Sequence, residues 1–256
     1  MGNTVTLETD GGLAAVRLSR AHGNAINDEL VGDLTDAFRE TRQDASVRGV
    51  LLVASGKLFC PGLDLQELIE LDRAAMERFL ERFNACMLDL YSFDKPLVAA
   101  IHGHAIAGGC ILALTADWRV LREGAMVGLN EVRVGVPFPF GISMMLRESV
   151  HAPRLEEVAL FGRNYKDREA VSTGLVHELH PAEGFEDHCR GRLEELAGKD
   201  SRAFAVTKRY LRSSTVERIR ARDRASMPEF IDAWFSEETR SRLQGIVDEL
   251  RRRGSS

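Results

Sequence analysis

Two short glycine-containing loops and one glutamate are the parts of this chain best suited to chemistry. The loops are Phe59-Cys60-Pro61-Gly62-Leu63-Asp64-Leu65 and Gly103-His104-Ala105-Ile106-Ala107-Gly108-Gly109-Cys110. Each loop follows an apolar run and is predicted to open a helix, so its backbone N–H groups can hold a developing negative charge. Glu131 ends the apolar stretch Val127-Gly128-Leu129-Asn130-Glu131. Two N–H donors and one carboxylate form a minimal set for proton transfer next to a carbonyl group.

The first part of the chain alternates between predicted strands and helices. Apolar or alternating runs predict strands at residues 4–8, 13–18, 49–54, 97–101, 119–121 and 125–127. The first two are expected to form a hairpin through Asp10-Gly11-Gly12. Helices are predicted from about Asp28 and from Arg73 to about Leu90. The alternation continues to about Leu179 and predicts an α/β fold.

The last part of the chain shows a different pattern, with helices predicted over residues 192–197, 201–212 and 237–251 and no convincing strand. We therefore divide the chain into an α/β core, residues 1–190, and a helical C-terminal region, residues 191–256. Because no low-complexity linker separates the two, the helices are expected to pack on the core, on a second subunit, or on both.

Composition excludes several classes of protein. The formal net charge of -5 argues against a nucleic-acid partner. The 4 cysteines have no CxxC spacing, which indicates buried thiols in a reducing compartment and argues against a disulfide framework or a metal site. No apolar run is long enough to span a bilayer, and we recognise no signal or transit segment. These features predict a cytoplasmic protein without membrane partners.

Four segments in this order resemble the enoyl-CoA hydratase/isomerase family, the crotonase superfamily. They are Asn24-Ala25-Ile26-Asn27, the Gly62 loop, the segment from Gly103 to Asp117, and Gly128-Leu129-Asn130-Glu131. The resemblance implies a crotonase-like spiral of ββα units with a C-terminal helical trimerisation region. It also implies an acyl-CoA thioester as substrate, no separate cofactor or metal, and a homotrimer or a dimer of trimers.

The resemblance further implies an oxyanion hole for the thioester, made by the backbone N–H groups of Leu63 and Gly108. Loss of one such donor typically costs about 3–4 kcal/mol of barrier. Gly62 and Asp64 flank Leu63 and are counted with the substrate-binding loop. Asp64 is also the predicted N-cap of the following helix, with Glu67 reaching back in a capping box.

Contacts to coenzyme A and to the acyl chain are also implied by the resemblance. Ala25 and Ile26 match the segment that lies against the adenine end of coenzyme A, and Lys57 matches a lysine near its phosphates. Phe235 is expected to pack against the coenzyme A of its own or a neighbouring subunit. The acyl pocket is predicted to be lined by Met76, Leu80, Pro137 and Phe138. Ordinary core packing is the alternative for these apolar residues, and a solvated loop position is the alternative for Lys57.

The chain departs from the family's hydratases at one position. Hydratases use two glutamates, and the first would lie three residues beyond Gly108, where this chain has Ile111. Glu131 matches the second. A single carboxylate suits an isomerase that moves a proton from C2 to C4 of a 3-enoyl-CoA. The sequence around Glu131 resembles that of Δ3,Δ2-enoyl-CoA isomerases. Burial is expected to raise the pKa of Glu131. The alternative is a structural acid paired with Arg133.

Other functions remain open at this stage. They include another crotonase reaction run with one glutamate, such as hydration, hydratase-lyase chemistry or decarboxylation, in which His104 or Asp64 would be a conceivable helper. A non-catalytic acyl-CoA-binding protein is a third possibility, against which the intact Gly62, Gly108 and Glu131 argue.

Overall fold

The computed structural model describes residues 3–254, which form two β-sheets surrounded by helices. The larger sheet has the strand order β1-β2-β3-β4-β6-β9, and the smaller one has the order β5-β7-β8. The strands are β1 (Val5–Asp10), β2 (Leu13–Leu18), β3 (Gly49–Ala54), β4 (Leu97–Ile101), β5 (Ala105–Ile106), β6 (Trp118–Arg122), β7 (Met126–Gly128), β8 (Asn164–Lys166) and β9 (Glu178–His180). The α/β class and the crotonase-like spiral are confirmed.

The helices lie between and after these strands. They are α1 (Ala21–Asn24), α2 (Asp28–Gln43), α3 (Leu65–Leu68), α4 (Arg73–Tyr91), α5 (Gly108–Leu114), α6 (Glu131–Val134), α7 (Phe140–Ser149), α8 (Leu155–Leu160), α9 (Asp167–Thr173), α10 (Phe185–Ala197), α11 (Ser201–Trp234) and α12 (Glu237–Gly254). The first, α1, is a short turn with left-handed backbone at His22 and Gly23.

The larger sheet is built from the predicted apolar runs. β1 and β2 form the expected antiparallel hairpin around Gly11 and Gly12, both with positive φ. β3 pairs in parallel with β2 and β4 and is buried along its whole length. Its Val50 and Leu52 belong to the main core, whereas Leu51 packs in a second cluster beneath α10. Burial on both faces explains why β3 has no polar alternation.

The C-terminal helices extend further than the sequence pattern predicts. α11 continues past residue 212 to Trp234, with Pro228 inside it, and the two clusters of the core receive side chains from α10, α11 and α12. The predicted boundary after residue 190 falls within α10, which packs against β3 and β4. The ends of both predicted segments, residues 1–2 and 255–256, lie outside the described residues, and the division into two units stays a prediction.

A buried ion cluster fixes α11 to the sheet. The Asp117 carboxylate accepts hydrogen bonds from the Leu97 backbone N–H at 2.8 Å and from Lys208 Nζ at 2.7 Å. It also pairs with the Arg212 guanidinium at 2.9 Å. Burial is the main cause that lowers the pKa of Lys208 to about 8, and Asp117 opposes it. Asp117 therefore has a structural role, joining α11 to the start of β4.

Asp117→Asn is expected to destabilise the protein by about 3–5 kcal/mol, because the buried Lys208 and the partly buried Arg212 lose their anionic partner in this cluster. Chemical denaturation monitored by circular dichroism measures the effect. The matched control is Asp36→Asn, which breaks an ion pair with Arg39 in which both side chains are 61% exposed. The control is expected to cost less than about 1 kcal/mol. Equal costs for the two variants would contradict the assignment.

All four cysteine thiols are buried and free, as the sequence predicts. No helix within residues 3–254 combines the length and the apolar character needed to cross a bilayer. The cytoplasmic location and the trimeric or hexameric assembly stay predictions.

Candidate active site

A cavity of about 400 Å³ lies where the two glycine loops, Glu131 and the C-terminal helices meet. The loops and α6 supply its more polar side, including Asp64, Asn130 and Glu131. The remaining wall comes from apolar side chains of α4, α11 and α12. The side chains of that wall are Leu80, Phe83, Phe230, Trp234, Leu243, Ile246 and Leu250.

Backbone pairing brings the distant motifs to one place. Ile26 forms a parallel bridge with Leu63, and Cys60 forms another with Ala105. β5 then pairs in parallel with β7. Because parallel strands end at the same edge, α5 begins beside α6, and the Ala107 N–H donates to the Gly128 carbonyl at 2.8 Å. Motifs that are separate along the chain therefore lie side by side in one wall of the cavity.

The backbone N–H groups of Leu63 and Gly108 flank one point of this wall. A Cβ added to Gly62 would lie 3.3 Å from the Gly108 nitrogen, and one added to Gly108 would lie 3.5 Å from the Leu63 nitrogen. Within residues 3–254, neither N–H donates a hydrogen bond to a protein group. Two neighbouring donors are therefore free to bind a single acceptor.

Unusual backbone conformations hold these donors in place. Gly62 has φ 108°, and Ala107, which precedes α5, has φ 50° and ψ -122°. A non-glycine residue in such a conformation typically stores about 1–3 kcal/mol of strain, and strain of this kind clusters at functional sites. A Cβ on Gly109 would overlap the carbonyl of Cys60. Gly109 is therefore required for the close approach of the two loops.

Glu131 begins α6 and contributes the cavity's one unpartnered carboxylate among the described residues. Both of its carboxylate oxygens are buried and accept no hydrogen bond. Burial raises the pKa of Glu131 to about 7, opposed in part by the nearby backbone N–H groups of Asn130 and Glu131 itself. Arg133 forms no ion pair with it in the described structure, so the alternative of a salt-bridged structural acid is not supported.

The position three residues beyond Gly108 is apolar in the structure as well as in the sequence. Ile111 is 4% exposed and lines the cavity. The other acid of the cavity, Asp64, is held by Arg20 at 2.7 Å. Glu131 is therefore the acid in this cavity that is free to exchange a proton with a bound molecule.

Sequence comparison decides the family. The profile of the family described as Enoyl-CoA hydratase/isomerase matches residues 8–248. The chain belongs to the enoyl-CoA hydratase/isomerase family. The crystal structure of human mitochondrial delta3-delta2-enoyl-CoA isomerase is similar with a TM-score of 0.94 at 26% identity, covering 98% of this chain and 99% of that one.

Proteins named as isomerases and proteins named as hydratases are both similar to the chain. Mouse mitochondrial enoyl-CoA delta isomerase 1 is 26% identical over 254 residues, covering 97% of this chain and 88% of that protein. A probable enoyl-CoA hydratase of Rhodobacter capsulatus is 33% identical over 213 residues, covering 81% of this chain and 80% of that protein. The chain is therefore an enzyme of the hydratase/isomerase family, and the names alone do not choose between the two reactions.

The predicted capping role of Asp64 is confirmed, with one correction. Its carboxylate accepts from the backbone N–H groups of Gln66 and Glu67, as an N-cap does. The Glu67 carboxylate, however, does not reach back to the Asp64 N–H, which donates instead to the Ile26 carbonyl. Glu67 pairs with Arg20 and accepts from Asn27. A cation from a distant segment thus replaces the local capping contact.

The structure separates the predicted ligand contacts into two groups. The predicted residues that line the cavity are Ala25, Leu63, Asp64, Leu80, Gly108, Glu131 and Pro137. Gly62 lies directly behind this wall, with its Cα 3.4 Å from the position of a Cβ on Gly108. Ile26 is buried beside Gly108, and Lys57 is exposed on the loop before Leu58. Their contacts with coenzyme A stay predictions.

Two residues predicted to line the acyl pocket lie elsewhere. Met76 is fully buried in the core, one helical turn before Leu80. Phe138 is partly buried and packs against the main core, whereas its neighbour Pro137 lines the cavity. Phe235 is half-buried at the end of α11, and the Arg73 guanidinium lies 6.0 Å from its ring centroid. The predicted contact of Phe235 with coenzyme A stays a prediction.

The sequence does not predict that side chains of α11 and α12 line the cavity. Phe230 and Trp234 are spaced i, i+4, as are Leu243 and Val247, so an apolar stripe was visible in both helices. The stripe shows that these helices pack on something, but it does not reveal the partner. His104, a conceivable helper, accepts from the Met126 N–H through Nδ1 and is not among the cavity residues.

Proposed function

We propose that this enzyme is a Δ3,Δ2-enoyl-CoA isomerase, which moves the double bond of a 3-enoyl-CoA into conjugation with the thioester. The observation that carries the proposal is the single free carboxylate of Glu131 in a cavity where Ile111 replaces the second acid. An isomerase needs one group that removes a proton and returns it. A hydratase needs a second group to hold and activate water.

In the proposed reaction, Glu131 removes a proton from C2 of the bound 3-enoyl-CoA. The electron pair released from the C2–H bond forms an enolate, and the negative oxygen is stabilised by the N–H groups of Leu63 and Gly108. The protonated Glu131 then returns the proton to C4, and the double bond forms between C2 and C3. The reaction needs no water, and the apolar side chains of Leu80, Phe83 and Ile111 in the cavity favour the exclusion of water.

The placement of coenzyme A is part of the proposal. Ala25 and His22 line the cavity, and Ile26 follows Ala25 along the chain. We place the adenine end against Ala25 and Ile26, its phosphates near the exposed Lys57, and the acyl chain toward α4, α11 and α12. Phe235 would contact coenzyme A from the end of α11, in this subunit or in a neighbouring one of a trimer.

The rate constant kcat/KM is expected to decrease as the pH is lowered below about 7. Proton abstraction requires an ionised Glu131, and burial raises the pKa of this group to about 7. kcat/KM should therefore drop about tenfold for each pH unit below that value and level off above it. A pH–rate profile with 3-hexenoyl-CoA checks this. A profile that stays flat down to about pH 5 would contradict the role of Glu131 as base.

The same pKa shift predicts a change in stability. The folded protein keeps the Glu131 proton up to a pH of about 7, whereas the unfolded chain loses it near 4.5. Stability contributed by the protonated form is therefore lost as pH rises through this window. Relative to Glu131→Gln, the wild type should lose roughly 2–3 kcal/mol of unfolding free energy between about pH 5 and about pH 8.

The proposed reaction is tested by absorbance at the conjugated enoyl-thioester band. Addition of the enzyme to 3-hexenoyl-CoA is expected to raise this absorbance. Addition to a 2-enoyl-CoA should leave this absorbance nearly unchanged, because an isomerase does not hydrate the double bond. A hydratase would lower the absorbance. Loss of the 2-enoyl-CoA band with no reaction of 3-hexenoyl-CoA would establish a hydratase instead. Binding of acyl-CoA without either reaction would indicate another one-glutamate reaction or a non-catalytic binding protein.

A further inference from the structure

One residue of the apolar cavity wall carries a polar atom in an unusual environment. Among the side chains that α4, α11 and α12 contribute in the described structure, all are hydrocarbon except for the indole nitrogen of Trp234. Trp234 is 1% exposed, and its Nε1 has no hydrogen-bond partner. An N–H donor that is shielded from water and lacks an acceptor is unfavourable, so its presence calls for an explanation.

Trp234 shares this property with Glu131 alone among the described cavity residues. Other buried, unpartnered polar atoms belong to residues that do not line the cavity, such as Asn24 and Asn84. For Glu131, the missing partner is a proton of the bound substrate. Trp234 is therefore a second cavity residue whose polar group has no partner within the described structure.

The indole ring of Trp234 packs against another aromatic ring of the same cavity. It stacks on Phe230, with 6.0 Å between the ring centroids and 15° between the planes. Phe230 also lines the cavity. The chain's other tryptophan is a useful contrast: Trp118 Nε1 donates to Glu178 at 2.9 Å and is therefore satisfied within the protein.

We propose that Trp234 binds an oxygen acceptor in the acyl group of the substrate, and this inference rests on the proposed function. The substrate class is a 3-enoyl-CoA whose chain carries a neutral oxygen, as a ketone, an ether or a hydroxyl group. No lysine or arginine is among the described residues that line the cavity, so the charge of a second carboxylate would be left unbalanced there. A neutral N–H donor pairs with a neutral acceptor at no such cost.

Binding of saturated acyl-CoA esters tests the inference without requiring turnover. Calorimetry would compare octanoyl-CoA with a series of oxo-octanoyl-CoA esters in which the ketone is moved one carbon at a time. One ester is expected to bind about tenfold more tightly than the others, because only one position brings the ketone to Nε1. Equal affinity across the series would overturn the inference, while activity with 3-hexenoyl-CoA would still support the isomerase.

Two phenylalanine variants separate the indole N–H from the ring. Trp234→Phe keeps an aromatic ring and removes the donor, so the tenfold preference should disappear. Trp118→Phe removes an N–H that lies on the β6–β9 side of the sheet and should leave the preference intact. If Trp234→Phe keeps the tenfold preference, another group of the protein binds the ketone oxygen.

A spectroscopic measurement on the wild type covers the case in which Trp234→Phe fails to fold. The chain has 2 tryptophans, so its indole N–H region contains two signals in a nitrogen–proton correlation spectrum. Trp118→Phe assigns them. The preferred oxo ester should shift the Trp234 proton downfield, and octanoyl-CoA should not. Identical spectra with both ligands would overturn the inference. A protein that binds no acyl-CoA at all would overturn the proposed function as well.

Discussion

Glu131→Gln is expected to lower kcat for 3-hexenoyl-CoA by about 10³- to 10⁴-fold, with little change in the binding of acyl-CoA. General acid–base groups contribute up to about this factor, and one residue here serves both steps. The amide has nearly the same volume as the carboxylic acid, so the cavity is preserved. The kcat loss is measured by the rise of conjugated-thioester absorbance, and binding is measured by calorimetry with hexanoyl-CoA.

The control for this variant is Glu123→Gln, which makes the same chemical change at an exposed residue in the turn between β6 and β7. It should retain the activity of the wild type. Activity of Glu131→Gln within tenfold of the wild type would remove Glu131 as the base and reopen the roles of the other cavity residues. Lost binding together with lost activity would indicate a damaged cavity, and circular dichroism would identify that outcome.

The role and the raised pKa of Glu131 can both be predicted from the sequence. The residue is recognised by its local segment, Gly128-Leu129-Asn130-Glu131, and its burial follows from the apolar residues before it. The raised pKa then needs only desolvation, which is a general consequence of burial. β3 was equally predictable, because a continuous apolar run of strand length has few alternatives to a buried parallel strand.

Features that depend on contacts between distant segments were not predictable in the same way. Glu67 has the spacing of a capping box, but Arg20 and Asn27 provide stronger partners from outside the local sequence. α11 continues to Trp234 although its second half is rich in arginine and contains Pro228. Its packing against α4 and α7, which the sequence does not reveal, stabilises this helix over its full length.

The substrate end of the cavity illustrates the same limit. The family resemblance predicts that both Leu80 and Met76 of α4 line the acyl pocket, but only Leu80 does so, and Met76 is buried in the core. A stripe gives the buried face of a helix, but only the tertiary structure divides that face between core and cavity. Phe230, Trp234 and Leu243 reach the cavity for the same reason. The acyl specificity of the enzyme therefore depends on its least predictable region.

Replacing the Leu63 N–H by an ester oxygen is expected to lower kcat/KM for 3-hexenoyl-CoA by about 10²- to 10³-fold. The change is made by incorporating the α-hydroxy analogue of leucine, which keeps the side chain and removes one backbone donor. The Leu63 N–H has no hydrogen-bond partner in the described protein, so its loss breaks no internal contact from that nitrogen. The main effect on kcat/KM should therefore appear where negative charge develops on the thioester oxygen, and the weaker acceptor that the ester makes of the Gly62 carbonyl should act on its bond from the Ile26 N–H.

The ester also separates transition-state binding from substrate binding. The carbonyl oxygen of a resting thioester carries little charge, whereas the enolate oxygen carries nearly a full one, so one N–H stabilises the enolate far more. Affinity for hexanoyl-CoA should consequently change much less than kcat/KM. The same ester at Leu160, an exposed residue of α8, controls for the incorporation chemistry and should leave both quantities unchanged. Equal losses of affinity and kcat/KM at Leu63 would mean that this N–H binds the ground state, and the proposed oxyanion role would fail.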